Sequence, residues 1–280
     1  MVIGFSLGKL QSVEEDTLIE KQIITEQPIY YEQSTPQRYF DKNSPSDVYQ
    51  TLLQDAISHF DFEFDVKNVQ QFQEDKDFIL ANLEHQYSRL AVKFDTEPSS
   101  KILVRLVDDI NVFKEDLGID FKVSIASYSA FALGGDQIEI YINPLFTVDK
   151  FDIAQTISHE LVHLFHYQVN DSNALYNPDW FIEGMAEGFS YPREEPLIHE
   201  DIYKAIPDLL TLDYLIRSPN PEDYTIGYDT AELFFIYLVE TYGEEKVIQL
   251  AKCTTTFDEV FTQQIGVTPD AAYNTWLNTL

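Results

Sequence analysis

Ile153-Ala154-Gln155-Thr156-Ile157-Ser158-His159-Glu160-Leu161-Val162-His163-Leu164-Phe165-His166 is the stretch on which the reading of this chain turns. Its apolar residues recur at helical spacing and predict a helix from Phe151 to Val169. On such a helix His159 and His163, four positions apart, bring both imidazoles onto one face, where they can ligate a single tetrahedral ion. Glu160 follows the first histidine directly and points about 100° around the axis from it. That direction suits a general base that reaches water beside an ion, and does not suit a ligand. Chance alone places His-Glu-x-x-His in a chain of this length roughly once in a hundred, so the two histidines leave ordinary core or surface roles open. His166 lies one further turn along from His163, where packing or capping of the helix is the plainer role.

Upstream, Phe60-Asp61-Phe62-Glu63-Phe64-Asp65-Val66 alternates apolar and acidic residues and predicts a strand. A long amphipathic helix is expected over 69–93, a second strand over 101–107, and a short helix capped by Asp108 or Asp109 and ended by Gly118. Phe121–Ile125 and Gln137–Ile142 read as two further strands, the latter preceded by Gly134-Gly135. Ser44-Pro45-Ser46-Asp47 starts a helix carried on by Val48, Leu52, Leu53 and Ile57. Residues 1–48 are rich in Glu, Gln, Ser, Thr and Pro and predict an extended, weakly structured segment. Beyond residue 150 only helices are expected, over 179–189, 228–242, 244–252 and 268–277, the last opened by Thr268-Pro269.

Downstream of the histidines stands Pro178-Asp179-Trp180-Phe181-Ile182-Glu183-Gly184-Met185-Ala186-Glu187-Gly188. Trp-x-x-Glu-Gly-x-Ala, following His-Glu-x-x-His in this way, resembles the Glu-zincin (gluzincin) metallopeptidases, which include thermolysin-like enzymes, a group of aminopeptidases and the smaller peptidase MA-like proteins. The resemblance is strong over 153–188, extends through element order across about 60–280, including the closing Ala-x-x-x-Trp-Leu segment at 272–277, and is absent over 1–48.

It implies an α+β, zincin-like fold: a small mixed β-sheet with helices in an N-terminal lobe (49–169), an all-helical C-terminal lobe (170–280), and an active-site cleft between them. It also implies one Zn²⁺ per chain held by His159, His163 and Glu183, the last standing 20 positions beyond His163. Glu187, one turn after Glu183, takes the place of the acidic residue that hydrogen-bonds the first ligand histidine in such enzymes and fixes its tautomer. The family's oxyanion donor comes from a later helix. Gly227-Tyr228-Asp229-Thr230-Ala231 resembles the Tyr-x-x-Ala segment that opens it, which implies Tyr228, with Tyr224 as competitor and simple packing as the alternative. A metzincin would need a third histidine where Val169 stands.

The function so implied is zinc-dependent hydrolysis of peptide bonds in a peptide or protein substrate, with Glu160 as the base that activates water. The aminopeptidase signature Gly-x-Met-Glu-Asn is missing, so an endopeptidase is expected. In the family the strand before the active helix, here Ile138–Tyr141, borders the cleft and pairs with extended substrate. Two other readings stay open: a non-catalytic zinc-binding or interaction protein that keeps the fold, and a latent peptidase blocked by its N-terminal segment.

Composition sets bounds around this. The 280 residues suffice for one large domain or two lobes around a shared cleft, and 44% hydrophobic residues supply a core. With 48 acidic against 18 basic side chains, the formal charge of −30 argues against nucleic acid and against anionic membrane surfaces. The plain meaning of that charge is a highly solvated surface. Cys253 is the only cysteine, so neither an internal disulfide nor cysteine ligation of zinc is available, and a buried structural thiol is expected. Met1–Leu10 lacks a basic segment and a long apolar core, and no run of 18 apolar residues follows. A cytoplasmic address and no membrane insertion are expected, or secretion if a leader has been removed.

Overall fold

The computed structural model describes residues 6–7, 39–44, 46–67, 69–117, 128–133, 136–142, 148–170, 177–190, 206, 208–218, 220–253 and 255–280. Ser6–Leu7 (β1), Phe60–Asp65 (β2), Ile102–Val107 (β3), Tyr128–Leu133 (β4) and Gln137–Ile142 (β5) form one sheet in the order β1-β4-β5-β3-β2. β2, β3 and β5 are parallel, with Phe60 opposite Ile102 and Val104 opposite Ile138. β4 turns back antiparallel on β5, and β1 lies antiparallel on β4. Parallel neighbours need crossovers, and Val69–Phe94 (α2) supplies the one from β2 to β3.

Strand β4 is a correction to the sequence reading, which placed no strand over 128–133. Tyr128-Ser129-Ala130-Phe131-Ala132-Leu133 carries no apolar–polar alternation, so periodicity does not mark it. The expected strand Phe121–Ile125 and the Gly134-Gly135 turn lie outside the described residues. Asp109 is the cap of Ile110–Leu117 (α3), accepting from the Asn111 N–H at 2.8 Å, while Asp108 instead accepts from the Lys67 N–H at 2.7 Å.

Lys150–Asn170 (α4) is the central element. Ser46–His59 (α1) packs on α2, and α2 and the sheet together cover α4. The face of α2 that meets this core carries Phe72, Ile79, Leu83, Tyr87, Leu90 and Phe94, all buried at helical spacing. Phe165 of α4 meets Tyr87 edge-on at 5.2 Å. Enclosed in this way, α4 is buried without a break from Thr156 to His166. Its polar residues are therefore held away from water, a costly placement that needs partners or a ligand.

The rest of the described chain is helical: Asp179–Phe189 (α5), Leu209–Ile216 (α6), Pro221–Tyr242 (α7), Glu244–Ala251 (α8), Phe257–Ile265 (α9) and Pro269–Leu277 (α10). α6 and α9 were not anticipated. α7 starts two turns before Tyr228, with Asn220 as cap and Pro221 in its first turn, so Tyr228 lies within the helix and does not open it. The mixed α+β class holds. Among the described residues no helix is long and apolar enough to cross a membrane.

Ahead of α1, Asn82 on α2 accepts from the Phe40 N–H at 2.7 Å and donates to the Phe40 carbonyl at 2.9 Å.

The closest helix contact is α5 on α7. A Cβ on Gly184 would lie 2.4 Å from the Ala231 carbonyl oxygen, and one on Gly188 would lie 2.7 Å from the Phe235 ring. Backbone cannot yield as a side chain can, so Gly184→Ala forces the helices apart. The variant is expected to lose about 1–3 kcal/mol of stability, the usual range for overpacking, read from its urea midpoint. A midpoint equal to wild type would show that the two helices have slack.

Candidate metal centre

The i, i+4 spacing on α4 does what a helix requires of it: the Nε2 atoms of His159 and His163 stand 3.1 Å apart. Glu183 enters from α5, its Oε2 lying 3.3 Å from His159 Nε2 and 3.5 Å from His163 Nε2. Three basic atoms thus aim at one point, and Glu183 Oε2 has no hydrogen bond of its own. Metal bonds of about 2.0–2.2 Å at tetrahedral angles put ligand atoms roughly 3.3–3.6 Å apart. The observed triangle matches that to within about 0.2 Å, so this buried group can hold a metal ion.

What puts Glu183 there is tertiary. The first turn of α5 has no side-chain cap of its own. Asp213 of α6 reaches across and accepts from the Trp180 N–H at 2.8 Å, and Arg217 pairs with Asp179. At the other end, Gln86 of α2 donates to the Phe189 carbonyl at 2.7 Å. Nothing in the sequence pattern pointed to Asp213, because its partner is 33 positions away.

Glu187 Oε1 lies 3.3 Å from His159 Nδ1. A carboxylate there favours the tautomer with hydrogen on Nδ1 and leaves the Nε2 lone pair free for an ion. Glu160 is fully buried, and neither carboxylate oxygen has a hydrogen bond. The Ala132 N–H of β4 faces it, outside full hydrogen-bonding geometry, and favours its charge. Burial pushes the Glu160 carboxyl up to about 7, against the pull of His159 and His163. Burial also opposes charge on Glu183, yet the two histidines outweigh it and hold that carboxyl at about 2.

Tyr228 stacks beside His159, ring centres 6.2 Å apart, and Tyr224 stacks on Tyr228 at 4.2 Å. Burial first, and then the Glu183 carboxylate, keep the Tyr228 hydroxyl protonated and able to donate. Both competing tyrosines therefore reach the site, with Tyr228 against the histidine. Tyr167, one turn beyond His163, also feels Glu160 and Glu183, after burial, in its raised pKa. The same i+4 spacing that picked out the histidines could have found it.

Family models, curated proteins and solved structures offer no significant match to this chain. The site rests on its own geometry.

One feature differs from expectation. The group does not face an open cleft: relative exposures are 2% for His159, 0% for Glu160, 1% for His163 and 2% for Glu183. His166 turns away into a polar network, its Nε2 accepting from Asn177 at 2.8 Å and Asn170 at 3.3 Å, while Asn170 also donates to the Ala251 carbonyl at 3.0 Å.

Burial drives the His166 pKa down to about 3. Unfolded, a histidine takes its proton near pH 6.5. Its neutral form thus contributes stability that is complete above pH 6.5 and is lost as pH falls toward 3, by up to about 1.4 kcal/mol per pH unit. Between pH 6.5 and 4, His166→Gln is expected to show a shallower fall of urea midpoint than wild type. Equal slopes would remove His166 from the acid response. His159 shifts in the opposite direction in both proteins, so the difference between slopes carries the result.

Proposed function

We propose that this protein is a zinc-dependent peptidase of the gluzincin type, with a zincin-like fold, acting as an endopeptidase. The single observation that carries the reading is the convergence of His159, His163 and Glu183 on one point with Glu160 beside them. Two imidazoles and a carboxylate are the donor set of catalytic zinc sites. When bound, zinc would polarise a carbonyl and make water acidic near neutral pH.

The chain's own residues do the rest. His159, His163 and Glu183 would hold the ion, and Glu187 orients His159. The Glu160 carboxylate takes a proton from the attacking water and passes it to the leaving amine. Tyr228 donates its hydroxyl to the carbonyl oxygen as negative charge develops there. The donor set also occurs with non-haem iron, and elemental analysis separates the two. About one zinc per chain, with cleavage of an unfolded protein substrate that stops on chelation and returns with zinc, is the expected result. Iron in the site, or zinc with no cleavage in any form of the protein, would sink the peptidase reading.

Tyr228→Phe is expected to keep the metal and lower kcat roughly 10²–10³-fold, the effect of removing one oxyanion donor. An unchanged kcat would pass the role to Tyr224 or to no tyrosine.

A further inference from the structure

The strand nearest the metal group is β4, which packs on α4 and turns its Ala132 N–H toward Glu160. Ile138–Tyr141 of β5, expected to pair with substrate, lies between β3 and β4 and has no free edge. One edge of β4 is taken by β5, with Ser129 opposite Tyr141 and Ala130 opposite Ile140. The other edge is taken by the chain's own N-terminal residues, Leu7 opposite Ser129 and Ser6 opposite Ala130. Ser129 and Ala130 are therefore paired on both sides. A strand edge accepts one partner at a time, and an extended peptide bound by main-chain hydrogen bonds needs that edge free. The group behind β4 is also closed to solvent, no member being more than 2% exposed.

We infer that Ser6–Leu7 occupies the β4 edge on which an extended peptide would have to lie, so that the N-terminal segment competes with substrate for the site. This rests on the peptidase reading. The partner the β4 edge fits is an extended, antiparallel peptide strand, and the resting occupant is internal. A tethered strand acts at an effective concentration on the order of millimolar, so it excludes weakly held peptides. Among the described residues this ladder pairs two residues, a length that a competing strand can displace.

The test uses the zinc-loaded full chain with Glu160→Gln, so that bound peptide is not cut, beside the same protein carrying Ser6→Pro and Leu7→Pro. Proline removes the N–H groups that a ladder uses. A second variant deletes residues 2–10, in case the prolines act elsewhere. Hydrogen exchange of the 128–133 amides is read in each, with the affinity for a labelled synthetic peptide of residues Val2–Leu10.

Both variants are expected to exchange the β4 amides at least tenfold faster than the full chain. They should also bind the peptide at least tenfold more tightly, with the added peptide slowing that exchange again. Equal exchange in all three proteins, or equal peptide binding, would overturn the assignment. The same variants made with Glu160 intact should cleave an unfolded protein substrate at least tenfold faster than the full chain. Faster exchange and peptide capture with no cleavage in any form would refute the peptidase reading and leave the strand pairing standing.

Discussion

Zinc affinity is expected to fall roughly 10²–10³-fold in Glu183→Ala, with the purified variant retaining well under one ion per chain. The magnitude follows from the site. Four-ligand zinc sites bind with about 10–16 kcal/mol, or about 2.5–4 kcal/mol per ligand. Glu183 is the only one of the three that brings a negative charge, and its Oε2 stands within 3.5 Å of both imidazole nitrogens. Competition against a calibrated chelator measures the loss directly. A thermal scan gives a second view, because a ligand that binds only the folded chain stabilises it by about 2.7 kcal/mol at a hundredfold excess over Kd. That increment should disappear in the variant at the same zinc concentration. Wild-type affinity in Glu183→Ala would mean that the two histidines recruit some other third ligand, and the role of α5 would have to be withdrawn.

Glu160→Gln is expected to give the opposite pattern: metal content near one, with turnover lowered roughly 10²–10⁴-fold, the usual worth of general acid–base catalysis. The amide keeps the volume of the carboxylate in a fully buried place, so packing on α4 is preserved. It cannot take a proton from water, and Glu160 stands outside the triangle of ligand atoms, so the two functions separate cleanly. Single-turnover cleavage, wild type beside variant at equal zinc, is the measurement. Equal rates would end the base assignment, while loss of metal would mean that Glu160 is itself a ligand.

Much of the site is legible in the sequence because its residues lie on two helices with fixed periods. His159, Glu160 and His163 need only the 3.6-residue turn to take their relative directions, and Glu183 and Glu187 face one way for the same reason. The strands β2, β3 and β5 are marked by alternation or by a short apolar run between turn signals. β4 is not, because Ser129, Ala130 and Ala132 give no contrast between its faces. Helix α6 escaped notice because Leu209, Leu210, Leu212, Leu215 and Ile216 give an apolar run without a clear stripe, and Leu210 is 80% exposed all the same.

By itself, then, the sequence determined the shared face of His159 and His163 on α4 and the mixed helix-and-strand class, since each depends on contacts within a turn or a strand, while Glu183 joined the group through the resemblance of its motif. Only the tertiary structure decided how the group closes. Glu183 meets the histidines because Gly184 lets α5 touch α7 and Asp213 caps α5 from another helix. The site is sealed because α4 is packed all round, and the β4 edge is filled by residues more than a hundred positions away in the chain. Those distances and closures are set by long-range packing, which no local period encodes.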